Sequence, residues 1–357
     1  MDTAQSLIFK RLLTDAAKKE ASDLHLSVGS RPMIRVDGAL RVMDDEDMMT
    51  QESLKGIVDA VTTDEQRAEL NTKKDLIFTT VFDNRIRAKI HIFFQEGFFT
   101  VSLRFLSVNV KTLREMKLPE SLFHFTHLQD GLVIIGGDNG SGRTTLAAAF
   151  LEEINRSSVK HILTVEDPIE YNLVSNKSIV NQREVGRDVP SIEEGLVYAQ
   201  KEDVDAVFIC DLGNERVIRK ALELADAGIL VFVIMNTNSS LTAIERIISS
   251  FDEHEQVLIR ELLAQVLRGI IIQSLVPKIG GSFVTVHEVL LNNAAVKTFI
   301  QSNRLQQLPQ VIKASRAEGM MSFDHELAKY VKDQEVTAEQ AREVAKDKQT
   351  LELLLHT

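Results

Sequence analysis

LVIIGGDNGSGRTTLAAAF, residues 132–150, joins an apolar run to a helix-forming run through a glycine-rich loop. The loop matches the phosphate-loop pattern G-x-x-x-x-G-K-[ST] at every position except one. Glycines allow backbone amides to turn toward a phosphate, and the start of the following helix adds positive potential there. The pattern predicts a nucleotide-binding loop made of Gly137, Asp138, Asn139, Gly140, Ser141, Gly142, Arg143, Thr144 and Thr145.

The position that departs from the pattern is Arg143, which stands where lysine is expected. Arginine keeps the positive charge, but its guanidinium is larger and planar, so it does not replace the compact ammonium of lysine. Thr144 is predicted to hold Mg²⁺ through its hydroxyl. The alternative interpretation is a glycine-rich turn that binds no nucleotide.

The segments after the loop have the rhythm of a parallel α/β sheet. Apolar runs at 132–135, 162–165, 206–210 and 229–235 alternate with helical patterns at 144–154, 192–201 and 216–227. Unbroken apolar strands separated by helices predict a parallel sheet covered on both faces. From Glu255 onward helices dominate, with one strand near 283–290. The apolar positions from Val257 to Ile270 predict a helix face that belongs to the core or to a subunit contact.

The first part of the chain predicts a smaller α+β domain over residues 1–110, followed by a second domain over residues 111–357. Helical patterns at 7–19 and 51–70 accompany alternating strand patterns at 24–28, 33–36, 85–92 and 100–105. Residues 107–130 show no strand pattern, and they predict a linker with a short helix between the domains.

Composition narrows the functional classes. The 357 residues include 41 Lys and Arg against 52 Asp and Glu, a net charge of −11, so the chain is a poor general binder of nucleic acid. Tryptophan is absent and aromatic residues are 6%, which leaves little surface for base stacking. The single cysteine, Cys210, excludes an intrachain disulfide and a cysteine-based metal site. Because no apolar run is long enough to span a bilayer, we expect no direct membrane insertion.

Five further stretches carry a family resemblance. They are SDLHL at 22–26, LREMKLP at 113–119, HILTVEDPIE at 161–170, VNQREVGRD at 180–188 and GMMSFD at 319–324. Together with the glycine-rich loop, they make the chain resemble the PilT and PilU retraction motors of type IV pili, within the secretion-ATPase superfamily. The resemblance extends over nearly the whole chain.

The resemblance implies a RecA-like nucleotide domain preceded by a PAS-like domain, in subunits of a hexameric ring with ATP between domains. It implies that Glu166 and Asp167 form an acidic box that helps to hold Mg²⁺ and water. It also implies that Arg85, Arg87 and Arg104 of the first domain reach a phosphate.

Other positions depart from the family pattern where chemistry is expected. Asp211 replaces the Walker B glutamate that polarises the attacking water, and it is one methylene shorter. Ile229 and Asn236 replace both histidines of the family's histidine box, and isoleucine can neither donate nor accept a hydrogen bond. Together with Arg143 they predict impaired hydrolysis, because phosphoryl transfer depends on all of these parts. The catalytic carboxylates are assigned as Glu166, Asp167 and Asp211.

These observations predict a PilT/PilU-like motor subunit of the type IV pilus, the machinery of twitching motility, that binds ATP and Mg²⁺ with impaired hydrolysis. Two alternatives stay open: a slow but active pilus-retraction ATPase, and a non-enzymatic ring partner that binds no nucleotide. The resemblance implies a homo-hexamer or a mixed ring with an active paralogue, docked on the inner-membrane platform protein. We expect a cytoplasmic chain, peripheral to the inner membrane through its partners, with no nucleic-acid partner.

Overall fold

The computed structural model describes residues 4–36, 38–82, 86–106, 110–116 and 118–356. The chain divides into two compact units, Met1–Asn109 and Val110–Thr357. Each unit has its own sheet and its own hydrophobic core. No helix in the described ranges combines the length and the apolar composition needed to cross a membrane.

In the described residues, the first unit is an antiparallel sheet with three helices. Its strands are β1 (Asp23–Ser27), β2 (Met33–Val36), β3 (Ala39–Val42), β4 (Asp75–Phe82), β5 (Ile86–Gln95) and β6 (Phe98–Leu106), in the order β3-β2-β1-β6-β5-β4. Its helices are α1 (Ala4–Lys18), α2 (Gln51–Val61) and α3 (Asp64–Lys73). Leu24 and Leu26, alternate residues of β1, share one hydrophobic core with Leu12 and Leu13 of α1. A sheet with one buried face gives the alternation seen in the sequence.

The helical stretch predicted at 51–70 is two helices, because a capping box interrupts it. The Thr63 side chain accepts from the Gln66 backbone N–H at 3.2 Å, and the Thr63 N–H donates to the Gln66 side chain at 2.9 Å. These bonds satisfy two backbone donors that a helix start leaves without partners. Thr63 therefore starts α3 inside a stretch that hydrophobic periodicity presents as continuous.

The second unit is a mostly parallel, seven-stranded sheet. Its strands are β7 (Gly131–Gly137), β8 (His161–Glu166), β9 (Ile179–Glu184), β10 (Ala206–Ile209), β11 (Leu230–Asn236), β12 (Leu267–Pro277) and β13 (Phe283–Leu291), in the order β13-β12-β7-β11-β10-β8-β9. The β13 strand pairs with β12 in the antiparallel sense. Ile134 of β7 belongs to one hydrophobic cluster, and its neighbours Val133 and Ile135 belong to another. This alternation is typical of a sheet buried on both faces.

Helices connect these strands and continue to the end of the described chain. They are α4 (Glu120–Phe123), α5 (Arg143–Ser157), α6 (Ile192–Ala199), α7 (Glu215–Asp226), α8 (Ser240–Ser249), α9 (Gln256–Val266), α10 (Ala294–Gln301), α11 (Leu308–Ala314), α12 (Phe323–Lys332), α13 (Ala338–Val344) and α14 (Lys348–His356). The four strands and three helices predicted between 132 and 235 are all present. Because parallel strands point the same way, the loops after β7, β8, β10 and β11 meet at one edge of the sheet.

The expectation of one helix face from Val257 to Ile270 is wrong. The α9 helix ends at Val266, and Leu267 opens β12, which lies beside β7. Leu258 is 68% exposed, so it is not a core residue. A short buried strand and a buried helix are both continuous apolar runs, and periodicity alone does not separate them.

Candidate nucleotide site

The glycine-rich loop follows β7 and opens directly into α5, a helix of 15 residues. Gly140 and Gly142 have φ angles of 82° and 88°. These angles lie in the left-handed region, which glycine adopts without the steric cost that a side chain adds. Gly142 is the residue before α5, so the loop leads into the N–H groups of the first helical turn, where anions are stabilised.

Gln273 of β12 packs behind the loop and leaves no room for a side chain at two glycines. A Cβ atom on Gly137 would lie 2.4 Å from the Gln273 backbone oxygen, and one on Gly142 would lie 2.8 Å from the Gln273 side-chain nitrogen. Glycine at both positions lets the loop backbone pack directly against Gln273. Thr144, with its hydroxyl, lies in the first turn of the helix that follows. This tight backbone cradle and this set of donors fit a nucleotide phosphate with its Mg²⁺.

Arg143 turns back on its own loop. Its Nη2 atom donates to Asn139 Oδ1 at 2.8 Å, and within the described ranges it forms no ion pair with Asp211. Burial lowers the pKa of the guanidinium, and the charges of Asp211, Asp138 and Glu170 oppose that shift. The side chain is therefore close enough to Asp211 to feel its charge, while its hydrogen bond goes to Asn139.

The three predicted catalytic carboxylates lie together, because β8 and β10 are neighbouring parallel strands. Glu166 ends β8, Asp167 follows it, and Asp211 follows β10 and Cys210. Burial, together with the charges of these three carboxylates, raises the pKa of the Cys210 thiol to about 12, while a hydrogen bond from the Asp167 backbone opposes the shift. All three carboxylates therefore lie close enough to the Cys210 sulfur for their charges to raise its pKa.

Only one of these three carboxylates is buried. Glu166 is 3% exposed, and its Oε1 atom accepts hydrogen bonds from Thr164 Oγ1 at 2.6 Å and from Gln182 Nε2 at 3.0 Å. Asp167 and Asp211 are exposed. Glu166 is thus oriented by its neighbours, whereas Asp167 and Asp211 lie at the surface.

The two positions that lack histidine lie at opposite ends of β11. Asn236 pairs with Gly137, so it lies beside the glycine-rich loop. Ile229 precedes Leu230, which pairs with Gly131 at the other end of β7. The seven residues of β11 span about 20 Å. Ile229 therefore lies far from Arg143 within this chain, and of the two positions only Asn236 lies beside the glycine-rich loop.

The three arginines assigned to phosphate belong to the first unit. Arg85 lies outside the described residues. Arg104 of β6 pairs with Lys89 of β5, so Arg104 and Arg87 occupy the same face of the sheet. The Arg104 Nε atom donates to Asp23 Oδ1 at 3.0 Å. Arg104 therefore has a carboxylate partner in its own unit, and its contact with phosphate stays a prediction.

Three residues that the sequence did not assign to the site help to shape it: Gln273, Gln182 and Tyr171. The Tyr171 hydroxyl bonds to Thr145 Oγ1 at 2.7 Å, and the Tyr171 backbone oxygen accepts from Gln182 Nε2 at 2.9 Å. Burial is the main cause that raises the pKa of Tyr171. The signal for Gln273 was a glutamine directly after three isoleucines, since a polar side chain in an apolar strand needs a buried partner.

Similarity to known proteins covers almost the whole chain. Residues 2–352 match the family model of the type II/IV secretion system protein. The chain is 33% identical over 335 residues to the type IV pilus retraction ATPase PilT of Pseudomonas aeruginosa, covering 94% of this chain and 97% of that protein. It is 32% identical over 351 residues to the type IV pilus ATPase PilU of the same organism, covering 97% and 91%.

Solved structures give the same relationship. The crystal structure of the pilus retraction motor PilT with bound ADP has a TM-score of 0.89 at 32% identity, over 98% of this chain and 99% of that chain. The ATPase DotB of Legionella pneumophila, at 20% identity, shares the fold with a TM-score of 0.83 over 95% of each chain. The predicted fold, a RecA-like domain preceded by a smaller α+β domain, is confirmed. The chain belongs to the type II/IV secretion system protein family, among the PilT/PilU-like ATPases of type IV pilus motors.

Proposed function

We propose that the chain is a type IV pilus motor subunit that binds ATP and Mg²⁺ at the glycine-rich loop and hydrolyses ATP poorly. The observation that carries the proposal is the loop backbone, with left-handed Gly140 and Gly142 at the start of α5. Binding rests largely on backbone N–H groups and on the helix dipole, which do not depend on the identity of residue 143. Turnover rests on charged side chains placed to within about 1 Å.

The loop residues would surround the phosphates, and Thr144 would hold Mg²⁺ through its hydroxyl. When bound, Mg²⁺ neutralises charge on the phosphoryl oxygens. Glu166, held by Thr164 and Gln182, would help to hold Mg²⁺ and water. Asp211 is exposed and one methylene shorter than glutamate, and a shortfall of about 1 Å in a catalytic group can cost roughly 100-fold in rate.

Arg143 weakens binding in this proposal without abolishing it. The guanidinium donates to Asn139 through one of its five N–H groups, so this bond ties the side chain to its own loop. Because the planar guanidinium is larger than an ammonium, it fits between the phosphates less well than a lysine that acts as a compact charge.

We place the chain in a homo-hexamer or in a mixed ring with an active paralogue, docked on the platform protein at the cytoplasmic side of the inner membrane. Support comes from similarity that spans both units and nearly the full length of PilT. Arg85, Arg87 and Arg104 would supply cations to a phosphate in such a ring. For Arg104 the phosphate would share the guanidinium with Asp23, to which only the Nε atom donates.

The test is to measure Mg-ATP affinity by calorimetry and ATP turnover in one preparation of the full chain. Binding with little or no turnover supports the proposal. Steady turnover would support a slow but active retraction ATPase instead, in which Asp211 and Glu166 still position water. Absence of binding would support a ring partner that uses no nucleotide.

A variant pair locates any binding that is seen. Thr144→Ala removes the proposed Mg²⁺ ligand and is expected to weaken Mg-ATP binding about tenfold, the loss of one interaction worth about 1.4 kcal/mol. Thr298→Ala is the matched control, because Thr298 is an exposed threonine of α10 that bonds only to its own helix, at the Ala294 backbone oxygen. Equal affinity of the two variants would place the nucleotide elsewhere.

A further inference from the structure

We propose that Gln273 is a positioning residue for the glycine-rich loop, and that the buried pair His287–Glu326 holds its amide in place. The meaning of this role for nucleotide binding rests on the proposed function, which makes the loop a phosphate site. The role itself rests on a chain of contacts that leads from the loop, through the two edge strands β12 and β13, to helix α12.

The chain of hydrogen bonds is continuous. Gln273 Nε2 donates to the Ser141 backbone oxygen at 2.6 Å. The other amide atom, Gln273 Oε1, lies 3.1 Å from His287 Nε2. His287 Nδ1 lies 3.2 Å from Glu326 Oε2, which also accepts from the His287 backbone N–H. Four elements of the second unit, the loop, β12, β13 and α12, are therefore joined by three side chains.

The direction of each bond follows from the first. A backbone oxygen only accepts, so the Gln273 amide nitrogen must face Ser141 and the amide oxygen must face His287. His287 Nε2 therefore carries a hydrogen and donates to Gln273. His287 Nδ1 can then bond to Glu326 only through a second proton, carried either by the ring or by the carboxyl group. A residue at position 326 that cannot bond to His287 would leave the His287 ring free to turn. The Gln273 amide would then lose the partner that fixes its orientation.

The three side chains that form these hydrogen bonds are buried, so each of them depends on its partners. Gln273 is 1% exposed, His287 is 0% exposed and Glu326 is 8% exposed. Water cannot replace a lost partner at such positions, so a buried polar group that loses its partner destabilises the local structure. Gln273 also touches the loop at two glycines, because Cβ atoms on Gly137 and Gly142 would collide with it. Its amide thus supports the loop from behind at the point where α5 begins.

The test uses hydrogen–deuterium exchange of the loop, residues 136–146, in the full chain without nucleotide, together with the thermal midpoint and Mg-ATP affinity of each variant. Gln273→Met keeps the side-chain volume and removes the amide. Glu326→Leu removes the acceptor at the far end. Glu326→Gln is the conservative variant, because its amide can donate to a neutral imidazole and accept from the His287 N–H.

We expect exchange in the loop to become about tenfold faster in Gln273→Met and in Glu326→Leu, the loss of about 1.4 kcal/mol of local protection. Glu326→Gln is expected to stay within about twofold of the unchanged chain. A matched control is Glu335→Gln, which removes the negative charge of the ion pair with Lys278 beyond the end of β12, where Lys278 Nζ lies 2.6 Å from Glu335 Oε2. It is expected to leave loop exchange unchanged.

The proposal is overturned if Glu326→Leu leaves loop exchange unchanged, or if Glu326→Gln speeds it as much as Glu326→Leu does. Its failure is separable from failure of the proposed function. If the exchange pattern is as expected and no variant binds Mg-ATP, the positioning role stands and the nucleotide function is lost. If Mg-ATP binds and all variants exchange alike, the function stands and the positioning role is lost.

Discussion

Arg143 differs from lysine in where its charge can go. The guanidinium is partly buried and donates to Asn139. Burial lowers its pKa, and the charges of Asp211, Asp138 and Glu170 oppose that shift. A lysine at this position lacks the planar set of five N–H donors that a guanidinium carries, and its ammonium acts as a compact charge. We therefore expect the identity of residue 143 to affect Mg-ATP affinity more than the rate of ATP turnover.

Arg143→Lys is therefore expected to raise Mg-ATP affinity about tenfold, or about 1.4 kcal/mol, and to raise turnover much less. Asp211 and the absent histidine at Asn236 stay limiting, because catalytic groups that act as a unit are not additive. Calorimetry and steady-state turnover of the variant check this. Family-level ATPase activity from this single change would contradict the account of Asp211.

Arg143→Ala separates two roles of the arginine. If the guanidinium contributes to phosphate binding, its removal weakens binding. If it blocks the site by its charge beside Asp211, its removal strengthens binding. We expect weakening, because the arginine bonds within its own loop and forms no ion pair with Asp211 in the described ranges. Arg156→Ala, at the far end of α5 and paired with Glu152, is the control.

Cys210 is expected to be inert in the folded chain. Burial and three nearby carboxylates raise its pKa from 9.0 to about 12, so the thiol stays protonated at pH 8, and the thiolate is the reactive form. Alkylation at pH 8 should be at least about 100-fold slower in the folded chain than in urea, because the raised pKa leaves far less thiolate at that pH. Equal rates in the two conditions would refute the burial of this sulfur among the carboxylates.

Among the elements, the glycine-rich loop depends on two different properties of glycine. Gly140 has a left-handed φ of 82° and no atom within 4 Å of a Cβ position. Gly137 faces a backbone oxygen, that of Gln273, at 2.4 Å from a Cβ position. Conformation alone is at issue for Gly140, whereas both conformation, with φ at 153°, and space are at issue for Gly137.

Gly140→Ala should consequently lower the free energy of unfolding by about 1 kcal/mol. Gly137→Ala should lower it by about 3 kcal/mol, because a positive φ is combined there with a backbone oxygen that cannot move aside cheaply. Urea unfolding of both variants measures the difference. A Gly137→Ala variant as stable as Gly140→Ala would mean that β12 can retreat from the loop.

The start of α3 is a second element whose stability depends on one residue. Thr63 and Gln66 form its capping box, and replacing a threonine cap by alanine typically costs about 1 kcal/mol. Thr63→Ala is expected to lower the protection of residues 64–73 against hydrogen exchange by about fivefold. Thr72→Ala is the comparison, since Thr72 is exposed in the same helix and bonds only to the Ala68 backbone oxygen. Equal effects would show that the cap is dispensable.

At the scale of the whole molecule, we expect assembly. PilT and PilU match nearly the full length of the chain, and closed rings join the front of each subunit to the back of the next. Native mass spectrometry of the chain, alone and mixed with an active PilT-like paralogue, is expected to give a hexamer in at least one case. A strict monomer in both samples rules out the ring.

The local sequence was sufficient to predict much of this protein. The order of strand, glycine-rich loop and helix was readable at 132–150, because glycine spacing and apolar runs are local properties. The resemblance to the PilT and PilU motors then assigned Glu166, Asp167 and Asp211 to the site. Those residues do lie together, since parallel strands bring their carboxyl ends to the same edge.

Tertiary structure alone decided what lies behind and beside the loop. β12 pairs with β7 across more than 130 residues of sequence, so Gln273 meets Ser141 although no local pattern connects them. The same pairing ends α9 at Val266 and turns an expected helix into a strand. Because β11 runs parallel to β7, Asn236 lies beside Gly137, whereas Ile229 lies at the far end of β11. Local sequence specifies most of the elements that form, whereas the start of β12 and the contacts between distant elements depend on how the sheet is ordered.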